Sequence, residues 1–291
     1  FAALMDGCAR VLEIGPLASP LLRRPGVQYF DVLSTADLRE KARIHGLDVE
    51  ACPTIDFVSA TGDLAVVTQT FDAVVSCHVI EHQPDLVRHL RGVADIMKPG
   101  GRYFLAVPDK RYCFDHFIAA STIADVIDAH AREARTHSIA SIIEHTSLTT
   151  HNDTARHWNG DHGEPRYVAE PGRVQGAVDA YLRNPGAYID AHAWQFVPSS
   201  FRDIMGLLRT LRVSAFEVER VYPTVRNSNE FYAVLKKVTD DVEPLQGQLP
   251  PSFNAQEYLL ANPDVARAGV DPAEHYLAYG RREGRQLRRS R

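Results

Sequence analysis

The chain has no apolar run approaching the roughly 18 residues that a membrane helix needs, and no secretory leader is visible, so a cytoplasmic protein is expected. Cysteine is scarce. Cys8, Cys52, Cys77 and Cys113 are the four in 291 residues, and none is spaced from another as in a metal or disulfide framework, so reduced thiols are expected. Positive charge is also in short supply: 32 Lys and Arg against 37 Asp and Glu leave a formal net charge of -5. Without a basic, aromatic-rich face, nucleic acid is not an expected partner. The chain begins at Phe1 and not at Met, so a preceding segment is expected.

What is present suits a globular protein. Hydrophobic residues make up 45% and charged residues 24%, near ordinary averages, so a sizeable core is available. The length suggests roughly two domains.

The most informative stretch is FDAVVSCHVIEHQPDLVRHLRGVADIMKPGGRYFLAVPD, residues 71–109. Phe71 to Ser76 is a short, nearly continuous apolar run, the pattern of a strand buried on both faces. Asp85 opens a helix whose apolar stripe is Leu86, Leu90, Val93, Ala94 and Met97. Pro99-Gly100-Gly101 ends it, and Tyr103 to Val107 is the next strand, closed by Pro108-Asp109. This is one parallel crossover with polar residues just after each strand, where open α/β sheets bind ligands. Upstream, Arg10 to Gly15 reads as a strand running into a glycine turn. Val27 to Asp31 is a strand ending on an acid, and Ile55 to Val58 is a short third strand. A glycine turn followed by a strand-terminal carboxylate is the plan of a nucleoside site, the acid accepting hydrogen bonds from ribose hydroxyls.

With VLEIG at 11–15, Asp31, FDAVVS at 71–76, Ile80-Glu81-His82 and Met97-Lys98-Pro99-Gly100-Gly101 in this order and spacing, residues 10–109 resemble a class I S-adenosylmethionine-dependent methyltransferase. The resemblance implies an α/β, doubly wound, mostly parallel seven-stranded Rossmann-like sheet. It also implies S-adenosylmethionine as cofactor, held by Glu13, Gly15, Pro16, Asp31, Phe57, His78, Glu81 and His82. The chain departs from the family in its first loop, Glu13-Ile14-Gly15-Pro16-Leu17-Ala18-Ser19-Pro20, which keeps only the first of the usual alternating glycines. The acid usual after the third strand is also displaced: Ala60 and Thr61 stand there, between Asp56 and Asp63.

A helix at Ser199–Leu211, with Ser200 and Asp203 spaced as a capping box, and strands at Phe216–Val221 and Phe231–Leu235 complete the core. Residues 109–197 are therefore an insertion after the fifth strand and are expected to cap the substrate. They hold His116, His130, His137, His145, His151, His157, His162 and His192. A helix near 121–135, opened by the Thr122/Asp125 pair, places His130 in the core, whereas residues 144–161 read as a polar loop. Histidine and aspartate suit several divalent ions, but the spacing matches no ligand signature, and no metal is expected. Methyl transfer to a hydroxyl favours a positioned base. The candidates in order are His116 or a loop histidine, His78, and Asp109. Lys110 and Arg111 are suited either to an anionic substrate or to surface charge pairing.

Residues 1–238 are thus expected to form the methyltransferase domain. Residues 239–251 read as a linker, and 252–291 as a small helical module with starts at Asn262-Pro263 and Asp271-Pro272 and stops at Gly269 and Gly280. That module resembles those at the ends of bacterial glycosyltransferases and surface proteins. It suggests a protein partner or self-association, and, by the company such modules keep, a saccharide or other small hydroxylated acceptor. Two other functions fit less well: a methyltransferase-fold binding protein without turnover, and a nucleic-acid methyltransferase.

Overall fold

The computed structural model describes residues 1–184, 186–238, 242, 249–250, 252–281 and 283–288. Most of the linker and the terminal Arg289-Ser290-Arg291 lie outside the described residues. The chain divides into two compact units, Phe1–Thr210 with Ser214–Asp240, and Leu211–Val213 with Asp241–Arg291. Among the described residues no helix is long and apolar enough to cross a membrane.

The first unit is built on a seven-stranded sheet. Its strands are β1 (Val11–Ile14), β2 (Val27–Asp31), β3 (Phe57–Val58), β4 (Phe71–Cys77), β5 (Met97–Pro108), β6 (Phe216–Tyr222) and β7 (Glu230–Lys237). The order is β3-β2-β1-β4-β5-β7-β6. Pairings among β1 to β5 are parallel, and β7 runs antiparallel to both neighbours. This is the doubly wound topology expected from the sequence. The reversal of strand order falls between β1 and β4, so the loops after these strands flank the crevice where such sheets bind ligands. β1 is buried at all four positions, and Ala73, Val74 and Val75 of β4 are fully buried, as parallel strands covered on both faces require.

Helix α1 (Thr35–Ile44) is capped by Ser34 and α2 (Leu86–Asp95) by Asp85, each side chain accepting from the third backbone N–H onward. The far end of α2 is closed by the buried Lys237, whose ammonium donates to the carbonyls of Ala94 (2.8 Å) and Met97 (3.0 Å). Lys98-Pro99-Gly100-Gly101, expected only to stop the helix, already lies within β5, with a register shift opposite Phe71–Ala73. Gly101 is needed there because a Cβ would come within 2.9 Å of the Lys98 carbonyl and 3.0 Å of that of Asp72.

The insertion carries α3 (Ile123–Ala131), α4 (Ile139–Leu148), α5 (Thr154–Trp158), α6 (Arg166–Ala169) and α7 (Gly172–Arg183). Thr122 and Asp125 form the expected capping box of α3. The expected polar loop at 144–161 is a correction: its start is the end of α4, and Asp153 nucleates α5 by accepting from Arg156 N–H. Helix α8 (Pro198–Thr210) returns the chain to the sheet. Ser200 does not pair with Asp203 as expected; its hydroxyl bonds with the backbone of Val197.

The second unit contains α9 (Ala255–Ala261), α10 (Pro263–Ala268) and α11 (Pro272–His275) around Tyr258, Val265 and Tyr276. Gly269 ends α10 in the left-handed conformation (φ 63°).

Candidate functional site

At the carboxyl end of β1, Gly15 adopts φ +69°, and a Cβ there would approach the Val79 side chain to 2.8 Å. Pro16 begins a turn in which Ser19 N–H donates to its carbonyl (3.0 Å). Glu13 is buried, and both carboxylate oxygens accept from the loop's own backbone, Leu21 N–H (2.6 Å) and Leu22 N–H (3.2 Å). Burial raises the Glu13 carboxyl above its ordinary range, against those bonds. Glu13 therefore shapes the glycine-poor loop, compensating for the missing glycines by bonds of its own.

Asp31 closes β2 with 7% exposure, one oxygen accepting from Leu33 N–H (2.9 Å), and burial raises its pKa. Beside it Val32 is 48% exposed, and Val58 at the tip of β3 is 45% exposed. A buried carboxylate flanked by bare aliphatic surface is the hydrogen-bond acceptor and platform that a ribose and a flat purine require, so the residues present fit the nucleoside end of S-adenosylmethionine. Phe57 pairs with Phe30 in the adjoining register. Neither neighbouring acid reaches this platform. Asp56 accepts from Tyr29 N–H (2.8 Å), and Asp63 caps the turn at Leu64–Val66.

The second half of the site lies at the carboxyl ends of β4 and β5. His78 leaves β4 with φ +53°, and Ile80–His82 form one 3-10 turn. The returning insertion clamps that turn: Ala193 N–H donates to the Glu81 carbonyl (2.7 Å), and the Trp194 indole donates to that of Gln83 (2.6 Å). A cavity of about 320 Å³ opens here, lined among others by His78, Glu81, His82, Phe114, His145 and His192.

Three imidazoles in it are each oriented by a carboxylate. His78 donates to Glu230 (2.7 Å), His82 to Asp190 (2.9 Å) and His192 to Asp115 (2.6 Å). All three have a ring nitrogen within 4.0 Å of Glu81, at 3.7, 3.8 and 4.0 Å respectively. The Glu81 side chain is 1% exposed, and neither of its oxygens has a hydrogen-bond partner among the described residues. Burial by itself would lower His78 and His82. The bonds to Glu230 and Asp190 and the charge of Glu81 outweigh it, and both lie above the ordinary imidazole value. Asp190 is held well below the carboxylate range, chiefly by its bond to His82. His145 is lowered by burial and by the neighbouring His192.

Of the expected bases, His78 lies in this cavity's lining, and so does His145 from the segment expected to supply a loop histidine. Asp109 is a correction: it is fully buried, and its carboxylate accepts from Arg111 (2.6 and 2.9 Å to the guanidinium, 3.1 Å to the backbone N–H) and from Thr224 (2.5 Å). A carboxylate so occupied anchors a turn and has no lone pair to spare for a substrate proton. Arg111 and Lys110 are drawn into the same turn, Lys110 donating to the His116 carbonyl (2.7 Å). His116 sits outside the cavity lining, in contact with His157 and His162. The residues not foreseen are Asp115, Asp190, His192 and Glu230, which orient or supply the imidazoles from segments more than 30 residues from the Ile-Glu-His element.

Against the expectation of no metal, two groups of side chains among the described residues could hold an ion. The ligand atoms of Glu81, His82 and His192, and those of His116, His157 and His162, lie within 4.8 Å of one another.

Residues 7–105, which carry β1 to β4 and most of β5, match the protein-family model described as Methyltransferase domain. Residues 7–105 thus carry a methyltransferase domain of the S-adenosylmethionine-dependent type. It is similar to the ubiquinone biosynthesis O-methyltransferase of Xanthomonas oryzae pv. oryzae (strain PXO99A), 38% identical over 103 residues, 34% of this chain and 42% of that protein. The protein of the same name from Xanthomonas axonopodis pv. citri (strain 306) is 36% identical over 110 residues, 36% of this chain and 45% of the relative. The chain thus matches under half the length of these relatives. Among solved structures, the CcbJ methyltransferase from Streptomyces caelestis superposes over 81% of this chain and 91% of its own, with a TM-score of 0.40 and 13% identity.

Proposed function

We propose that the protein uses S-adenosylmethionine to methylate an oxygen of a small hydroxylated molecule, with saccharides as the first acceptor class. When bound, the cofactor supplies an electrophilic methyl group, so the protein's task is to align the acceptor and receive its proton. Asp31, the Gly15 turn and the Val32/Val58 surface would hold the cofactor. The observation that carries the reading is the set of carboxylate-backed imidazoles around Glu81, placed where the carboxyl ends of β4 and β5 meet the insertion.

His192 is the base we assign. Asp115 accepts its Nδ1–H, which leaves the Nε2 lone pair facing the cavity, and the buried Asp115 and Glu81 stabilise the imidazolium that forms. Phe114 and the insertion keep water from the acceptor. Residues 1–238 form the catalytic domain in this reading, and 252–291 a module for a protein partner or self-association. The relatives named above as O-methyltransferases support transfer to oxygen.

The test has two stages. Calorimetry with S-adenosylhomocysteine comes first, and no binding at millimolar ligand would sink the enzyme reading. Methyl-labelled S-adenosylmethionine is then offered with panels of saccharides and other hydroxylated metabolites, with products read by mass spectrometry. His192→Gln should lower turnover by about 100-fold or more while S-adenosylhomocysteine affinity stays unchanged. Product methylated only at nitrogen or carbon would overturn the oxygen assignment.

A further inference from the structure

The second histidine group is separate from the cavity and has no part in the chemistry above. His116 follows the turn after β5, and His157 and His162 flank the end of α5. Gly160 (φ +82°) folds the chain back so that His162 meets His157. The two segments are pressed together by Trp158, whose ring stacks on Tyr112 at 3.8 Å and 6° and whose indole donates to the Ser228 carbonyl (2.8 Å).

The hydrogen bonds fix which nitrogens are available. A carbonyl only accepts, so His116 Nδ1 carries the proton it gives to Arg111 (2.9 Å), leaving its Nε2 lone pair free of hydrogen. His157 Nε2 donates to the His151 carbonyl (3.0 Å) by the same logic, and its Nδ1 lone pair faces His162 Nδ1 at 3.0 Å. Imidazole ligands are oriented in this way by backbone carbonyls at metal sites. Two nitrogens on one tetrahedral zinc, each about 2.0–2.1 Å from it, lie about 3.3–3.4 Å apart, so a few tenths of an ångström of opening would admit an ion.

We propose that His116, His157 and His162 bind one divalent transition-metal ion of the zinc class, with water in the fourth position. The ion takes the place of the proton that His162 Nδ1 gives to His157 Nδ1, and that proton passes through solvent to His162 Nε2, so both rings stay neutral. It clasps residues 151–162 to the turn at 111–116, the turn that also carries Cys113 and Phe114 of the cavity wall. Neutral imidazole suits such ions, whereas a magnesium-like ion would need oxygen ligands that this group lacks.

The test uses the tag-free full chain, stripped with chelator and titrated with Zn²⁺ and with Co²⁺. The expected result is one tight equivalent, a tetrahedral Co²⁺ absorption band, and a thermal midpoint raised by about 5 °C at a hundredfold excess over Kd. His162→Ala and His116→Ala, both at partly exposed positions, should weaken that equivalent by about a hundredfold or more, and Glu81→Gln should leave it unchanged. Loss of the equivalent in Glu81→Gln with retention in His162→Ala would place the ion in the cavity and overturn the proposal. So would the absence of any binding by the folded wild-type chain.

Discussion

Replacing Glu81 by glutamine separates the charge of the cavity from its shape, and its effects can be worked out before any acceptor is known. Taking a carboxylate fully out of water costs several kcal/mol, and at Glu81 no hydrogen bond offsets it. One protonated imidazole at 3.7 or 3.8 Å returns about 4 kcal/mol at an effective dielectric constant of about 20. The two nearly cancel. Glu81→Gln should therefore change the unfolding free energy by no more than about 1 kcal/mol, or about 2–4 °C in thermal midpoint.

The larger effect falls on the imidazoles. His78 and His82 sit above their ordinary value although burial opposes it, and Glu81 is among the charges that lift them. A histidine raised in this way stabilises the fold fully below its unfolded value, about 6.5, and that contribution disappears as pH rises through the folded value. Glu81→Gln should move both titration midpoints down and narrow the pH window over which stability falls. Carbon-13 and proton shifts of the imidazole rings, assigned with His78→Gln and His82→Gln, give the midpoints directly. Unchanged midpoints would refute the reasoning. A thermal midpoint lowered by about 10 °C or more would do so as well, since it would make Glu81 a structural anchor.

Asp31→Ala should weaken S-adenosylhomocysteine binding by about 10–100-fold, the loss of charge-assisted bonds worth about 1.5–3 kcal/mol, with calorimetry as the readout and no fall in thermal midpoint. Asp85→Ala removes the cap of α2 (2.9 Å to Arg88 N–H) and the buried partner of His130 (2.9 Å), at a cost of about 2–4 kcal/mol in urea unfolding. Burial works against the Asp85 carboxylate, yet its bond to His130 holds it below the ordinary value. Its contribution is therefore present at neutral pH and lost as pH falls below about 4. Tyr258→Ala empties the core of the second unit, where Tyr258 is fully buried and bonded to His275 (2.9 Å). Its cost of about 3–5 kcal/mol should expose residues 252–288 to limited proteolysis while S-adenosylhomocysteine affinity holds.

The sheet was legible because its signals are local. Buried parallel strands read as short apolar runs, and caps and glycine turns sit within a few residues of the elements they bound. Asp31 and the Ile80-Glu81-His82 turn were found for the same reason. Asp109 was misread because its position after β5 is correct for a catalytic group, and only tertiary contact reveals that Arg111 and Thr224 occupy it. The placement of His116 was not legible on similar grounds: a histidine just past a strand end can turn into the cavity or away from it, and here it turns away, beside the stack of Tyr112 on Trp158. Nothing local set His192 apart from the other insertion histidines, since it is 77 residues from the aspartate that orients it and 111 from the glutamate it faces.

That difference in reach bears on how the two halves of the site can change. The nucleoside half draws on residues 13–63, short loops tied to adjacent parallel strands, so a substitution there disturbs cofactor binding and the sheet together. The acceptor half draws its orienting carboxylates from separate segments, Asp115 and Asp190 on the insertion and Glu230 at the start of β7. Exchange of any one resets a single imidazole and leaves β1 to β3 intact. Acceptor choice can therefore drift in the insertion while the cofactor site is retained. The segment that matches the methyltransferase family model stops at residue 105, four residues before the insertion begins. The similarity therefore bears on the cofactor half, and the acceptor must be identified from the carboxylate-backed histidines themselves.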